Sequence, residues 1–335
     1  MKPRALAVCT IIALASGSSA LAWGASGHRI IGRLALESLP GELPAFVRSG
    51  AAASLVGELA REPDRWRGSG KAHDNDRDPA HFLDLDDDGR IGGGPTLADL
   101  PATRAAFDGA LRAVGTDSWK MGYLPYAIID GWQQLAKDFA YWRADNAAAK
   151  APVAADHRDW FIVDRTEREA LILRDIGVLA HYVGDASQPM HVSIHYNGWG
   201  AGPNPAGYTQ ARVHVPFEGA YVRQWVGMAA VKAAMAPPAD CRCLIEQEVV
   251  TYLAATQRRI LGYFDLQKAG GFAPGDPRGQ AFATERVAAG AAELRDLIAG
   301  AWRSSAAGQV GWPALPVSAI EAGAVDPYAA LFGDD

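Results

Sequence analysis

His181-Tyr-Val-Gly-Asp185-Ala-Ser-Gln-Pro-Met-His191 is the stretch on which the fold turns. His181 and Asp185 are four residues apart, a spacing that puts both on one face of a helix. Apolar residues recur at three- and four-residue steps through 167–186, which predicts that helix with a start near Glu167. Pro189 ends or kinks it, so His191 returns from a turned segment. The same spacing recurs at 28–40, 218–235, 243–264 and 279–302, while sustained two-residue alternation is rare. The expectation is an all-α chain folded as a single compact multi-helix domain.

Lys2 and Arg4 precede an apolar run from Ala5 to Ala15, and small residues lead to Ala20-Leu21-Ala22. That is the pattern of a secretory signal over 1–22, with a mature chain beginning at Trp23 and a destination in the periplasm or outside the cell. The run is shorter than the about 20 apolar residues that cross a bilayer, and no later segment is of that kind, so stable membrane insertion is not expected. Losing Lys2 and Arg4 takes the formal charge from −6 to −8, a balance that does not by itself attract polyanions. Cys9 leaves with the signal, and Cys241 and Cys243 alone make no disulfide framework. Whether those two bridge each other, pair with another chain or stay reduced is left open by the sequence.

Breaks rich in Gly, Pro, Asp or Asn fall at 68–79, 89–95, 147–157, 198–207, 237–240 and 270–279. Most lie within the span of the candidate ligands below, so they read as loops of one domain over 23–335. Beyond Trp312 the pattern loses its period, and a peripheral or frayed tail is expected.

His214 and Glu218 repeat the spacing of His181 and Asp185. Imidazole nitrogen and carboxylate oxygen are both zinc ligands, held at about 2.0–2.2 Å. Either pair alone also reads as a solvated ion pair on a helix. The rest of the chain adds Trp23-Gly-Ala-Ser-Gly-His28, Asp64 within Glu-Pro-Asp-Arg-Trp, and His81 heading His-Phe-Leu-Asp-Leu-Asp.

In these motifs the chain resembles the superfamily of phospholipase C and the S-one/P-one nucleases, all-α enzymes with three clustered zinc ions. Gly-Asp-x-x-Gln-Pro-Met-His is its most specific wording. The resemblance implies that Asp64, His81, His181 and Asp185 hold one zinc, and that His191, His214 and Glu218 hold a second. The amino nitrogen and carbonyl oxygen of Trp23, with His28 and a bridging Asp185, would hold the third. His73, His157 and His195 are left for surface positions or for orienting a ligand from behind. Three carboxylates against three divalent ions leave a locally positive pocket suited to a phosphate ester.

The resemblance also implies that Asp86, five residues after His81, orients or deprotonates the attacking water, and that Phe82 faces the substrate. Asp84 matches the family's wording too. Acids at 84, 86 and 88 with Gly89 and Ile91 also fit the start of a calcium loop, but Pro95 stands where a bidentate Glu belongs.

The opening Trp-Gly-x-x-Gly-His and the step from His191 to His214 resemble the nuclease branch. Gln-Pro-Met-His and Glu218, where nucleases usually carry Asp, resemble the phospholipases C, and the nucleases' Asp-x-Gly-Gly-Asn stretch is absent. Tyr196, Trp199 and Tyr208 could stack on unpaired bases, meet lipid, or anchor their own loop. The expected function is a zinc-dependent endonuclease on single-stranded DNA or RNA giving 5′-nucleotides, with 3′-nucleotidase action besides. The alternative is a zinc phospholipase C acting on phospholipid headgroups. No protein partner is expected.

Overall fold

The computed structural model describes residues 23–200 and 202–333, and the expected signal at 1–22 lies outside them. It is mostly helical. The helices are α1 (Gly24–Glu37), α2 (Gly50–Leu59), α3 (Glu62–Arg65), α4 (Lys71–Arg77), α5 (Arg104–Ala113), α6 (Ser118–Met121), α7 (Leu124–Ala148), α8 (Arg158–Ser187), α9 (Val222–Trp225), α10 (Met228–Ala234), α11 (Ile245–Gln257), α12 (Ile260–Lys268) and α13 (Pro277–Ser305), followed by α14 (Val317–Glu321) and α15 (Tyr328–Phe332). A two-stranded antiparallel ribbon, β1 (Gln309–Val310) and β2 (Leu315–Pro316), precedes α14.

The long helices α1, α7, α8 and α13 pack on one another, with α2 against α1 and α8 and α11 against α7 and α8. At the centre stands α8. Its first half is largely exposed, whereas every residue from Leu179 to Ser193 is buried. A helix apolar on one stripe gives a clear period, but one enclosed all round does not. The segment before Glu167 is missed for the opposite reason: only Phe161 is buried over 158–166, too little for an apolar stripe, so the period starts near Glu167 while the helix begins at Arg158. Two glycines let neighbours approach α8: a Cβ on Gly177 would lie 2.4 Å from the Leu59 Cβ, and one on Gly184 would lie 2.9 Å from His28 Nδ1.

Several expectations are corrected. α7 was not anticipated, because Asp138 and Asp145 are buried among its apolar residues and break the stripe. α4 occupies the expected break at 68–79. The expected helix over 218–235 is interrupted: Pro216–Tyr221 forms a π-helical turn, followed by α9 and, after Gly227, α10. The segment 243–264 likewise divides between α11 and α12.

The tail beyond Trp312 is not peripheral throughout. Val310, Val317 and Ile320 form a second small core with Phe161 and the alanines at the end of α7. His157 pairs with Asp326 at 2.9 Å and stacks on Tyr328 at 3.7 Å. Such short apolar groups carry no period to read. Cys241 and Cys243 are bonded to each other. Among the described residues, no helix is long and apolar enough to cross a membrane.

Candidate metal centre

The buried end of α8 brings together histidines and acids from six places in the chain. His28 comes from α1, Asp64 from α3, His81 from the turn after α4, and His181 and Asp185 from α8 itself. His191 follows on the one-turn helix Pro189–Val192, which Gln188 caps by accepting from the Met190 amide. His214 and Glu218 complete the set, Glu218 on the π turn. These residues form three groups whose ligand atoms could hold a metal ion: His28, His181 and Asp185; Asp64, His81 and His181; and His191, His214 and Glu218.

Distances in the first two groups centre on Asp185. Its Oδ2 lies 3.0 Å from His81 Nδ1 and 3.4 Å from His181 Nε2, and its Oδ1 lies 3.4 Å from His28 Nε2. His181 Nε2 is 2.9 Å from His81 Nδ1 and 3.9 Å from Asp64 Oδ1. The rings of His28 and His181 stack at 4.1 Å. In the third group Glu218 Oε1 lies 3.0 Å from His191 Nε2 and 2.5 Å from His214 Nε2, with the two nitrogens 3.1 Å apart.

Protonation decides whether these are hydrogen bonds or metal ligands facing one another. His181 Nδ1 lies 2.8 Å from the Ala60 carbonyl, and His191 Nδ1 lies 2.6 Å from the His81 carbonyl. A carbonyl only accepts, so both Nδ1 atoms carry the proton. Burial lowers the pKa of His191, and burial drives those of His181 and His81 well below the ordinary value, so these rings are neutral. The Nε2 atoms of His181 and His191 then present bare lone pairs to carboxylate oxygens, a repulsive arrangement unless a cation, or a proton on the acid, lies between. A backbone carbonyl holding the far ring nitrogen is also how metal-binding histidines are commonly oriented.

The carboxylates agree. Burial pushes Asp64 up to about 7 and Asp185 well above the usual range, the added charges of neighbouring acids working in the same direction for both. Burial alone would raise Glu218 as well, but His214 and His191 outweigh it and hold that carboxyl down to about 2. Asp64 Oδ1, Asp185 Oδ1 and Glu218 Oε2 are buried without a hydrogen bond among the described residues. The donor set therefore fits a metal ion: buried nitrogen and oxygen lone pairs converge, and without a cation beside them burial drives Asp64 and Asp185 to take up protons.

Trp23 is wholly buried. Its indole Nε1 donates to Ser187 Oγ at 2.7 Å, and its carbonyl accepts from the Gly27 amide at 3.2 Å. Gly24 follows at φ +49°, and a Cβ there would lie 3.0 Å from the Glu218 carbonyl oxygen. Residues 23 and 24 thus run between the end of α8 and the Glu218 turn.

A cleft of about 360 Å³ opens on the centre, lined by Arg67, Phe82, Asp84, Lys120, His191 and Tyr196 among others. Asp86 is not in its wall: Asp86 Oδ2 accepts from the Gly93 amide at 3.0 Å and closes its own loop. The extended segment 82–85 alternates, with Leu83 and Leu85 buried and Phe82 and Asp84 turned to the cleft. Burial, reinforced by the charge of Asp86, pushes Asp84 up to about 8. The remaining acids of the run diverge, Asp87 to His195 at 2.9 Å and Asp88 to the Arg90 amide at 3.0 Å, so they do not surround one calcium position.

Tyr196 is 52% exposed at the rim, but Trp199 is only 7% exposed. The Trp199 ring stacks on His195 at 3.6 Å and its Nε1 donates to the Pro203 carbonyl, so Trp199 anchors the loop and does not face a substrate. Tyr208 bonds Asp265. Of the histidines expected at the surface or behind a ligand, His195 is buried and pairs with Asp87, while His73 stays near the surface beside Asp74.

Sequence reading passed over Gln188, whose Nε2 donates to Glu218 Oε1 at 2.7 Å, although it stands inside the quoted motif. It also passed over Lys120 and Arg67, for which no local pattern gives a signal. No protein-family model and no curated protein matches the chain.

Proposed function

We infer that this chain is an exported zinc-dependent phosphodiesterase that cleaves single-stranded DNA or RNA. The observation that carries the reading is the pair of histidines, His181 and His191, whose tautomers are set by carbonyls so that their bare nitrogens meet buried carboxylates. Three ions would match the three ligand groups, His181 being common to two of them and Asp185 within reach of histidines of both, with the freed amino end of Trp23 completing the His28 set. Bound zinc would bring the pKa of a water close to neutral and offset charge on a phosphate.

The chain's own residues supply the rest. Lys120 and Arg67 line the cleft and bind phosphate oxygens. Phe82 and Tyr196 flank it and offer faces to a base. Asp84, with a pKa pushed up to about 8, takes or gives a proton near neutral pH. Asp86 acts through Asp84, its charge helping to hold that proton.

The test is incubation of the protein, cleaved ahead of Trp23 and loaded with zinc, with single-stranded RNA and with phosphatidylcholine vesicles. RNA cleavage abolished by a chelator is expected, and cleavage of the lipid alone would overturn the choice in favour of a phospholipase C.

A further inference from the structure

Beside the cleft lies a larger cavity of about 490 Å³. The two adjoin across the turn at 78–81, with Asp78 lining the cleft and Pro79 the cavity, and across α6, with Lys120 lining the cleft and Ser118 and Trp119 the neighbouring cavity. This short helix is held firmly. Asp117 accepts from the Lys120 amide at 3.0 Å, and Asp108 of α5 accepts from the Ser118 amide at 2.9 Å and hydroxyl at 2.8 Å. Lys120 and Trp119 are therefore presented on a preset turn, which keeps the entropy cost of engaging a ligand low.

The lining has the chemistry of a base and a phosphate. Trp119 is 53% exposed, a large indole face turned to the cavity. Arg104 lies 3.5 Å over the Tyr123 ring and makes no ion pair among the described residues. Stacked in this way, a guanidinium keeps its edge donors available for phosphate. Of the two acids present, Asp108 is committed to Ser118 and to Arg112 at 2.6 Å, leaving Asp76 as the other.

We propose that this cavity is a strand-extension subsite: a nucleotide of the same single strand, beyond the phosphate in the cleft, stacks on Trp119 with its own phosphate on Arg104. This rests on the nuclease reading above. A polymer is the occupant because cleft and cavity adjoin across α6, and a ligand filling both must carry charge and a flat apolar group on each side of it. A phosphatidylcholine headgroup continues past its phosphate only to a cationic choline, with no second phosphate for Arg104.

Trp119→Ala and Arg104→Gln should each raise KM for a long oligothymidylate about tenfold, the scale of one lost base stack. Hydrolysis of bis(p-nitrophenyl) phosphate, which fills only the cleft, should stay unchanged in both variants. Fluorescence anisotropy of a labelled phosphorothioate oligothymidylate on the zinc-loaded protein should weaken by the same factor. Equal losses on both substrates, or none on either, would overturn the subsite and leave the nuclease reading standing. Wild-type protein that cleaves bis(p-nitrophenyl) phosphate and phosphatidylcholine but no oligothymidylate would overturn both.

Discussion

The ligand group around Asp185 and the one around Glu218 are built on the same pair, a histidine four residues from an acid, but on different supports. His181 and Asp185 project from the middle of the fold on a long helix, and both Asp185 oxygens face histidines. Glu218 sits on a π turn, with His214 just ahead of it after a long loop, and one oxygen, Oε1, takes His191, His214 and Gln188 together. One carboxylate is shared between groups by rigid scaffolding, whereas the other concentrates one group on a single atom. The same sequence spacing thus gives a junction in one place and a terminus in the other.

The largest test of that difference is removal of each acid. Asp185→Ala should lose two equivalents of zinc and all measurable hydrolysis, while Glu218→Ala should lose only one. Metal analysis of the purified variants decides it, and equal losses would show that the groups are not built differently.

Gln188→Leu reaches only the Glu218 group. Removing a residue that orients a ligand typically weakens metal binding 10–100-fold, so one zinc of three should become easier to strip in a competition with chelator. Gly184→Ala strikes the other group, pressing a methyl toward His28 Nδ1. Overpacking of that kind costs about 1–3 kcal/mol, read as a lower urea midpoint, and should weaken metal binding at the His28 group while sparing the Glu218 set.

The smallest effect lies outside both groups. Burial and the neighbouring Asp164 push the Asp145 carboxyl up to about 9 from an ordinary 3.8. Folding therefore takes up a proton between those values, and stability falls as pH rises through that window. Asp145→Asn should melt a few degrees above wild type at pH 8 and level with it near pH 4, with zinc content unchanged in both.

The contrast between the groups also marks what was legible beforehand. His181, Asp185 and His191 could be read because helix periodicity and a proline place them without tertiary information. Every anticipated histidine and acid ligand comes together, since each sits in a local motif. The helical class was legible for the same reason. By contrast, α7 escaped notice because burial of Asp138 and Asp145 depends on partners far along the chain. Asp84 and Asp86 were exchanged as the cleft acid because both match a pattern of alternating acids. Only the closed loop, in which Asp86 accepts from the Gly93 amide, shows that Asp84 and not Asp86 lines the cleft. Trp199 followed the same course: an aromatic in a loop looks available until His195 is seen stacked upon it.

Since Asp185 turns one oxygen toward His28 and the other toward His81 and His181, cations on its two sides cannot bind independently. The first to arrive fixes the carboxylate's rotation and so prepares the opposite oxygen, and reciprocity requires the second to favour the first equally. Stripped protein titrated with zinc should therefore fill these two positions in one steep phase, and the Glu218 position in a separate, ordinary hyperbola. Such linkage would make the two positions beside Asp185 fill as a pair over a narrower range of metal supply than a lone site, with singly loaded protein scarce.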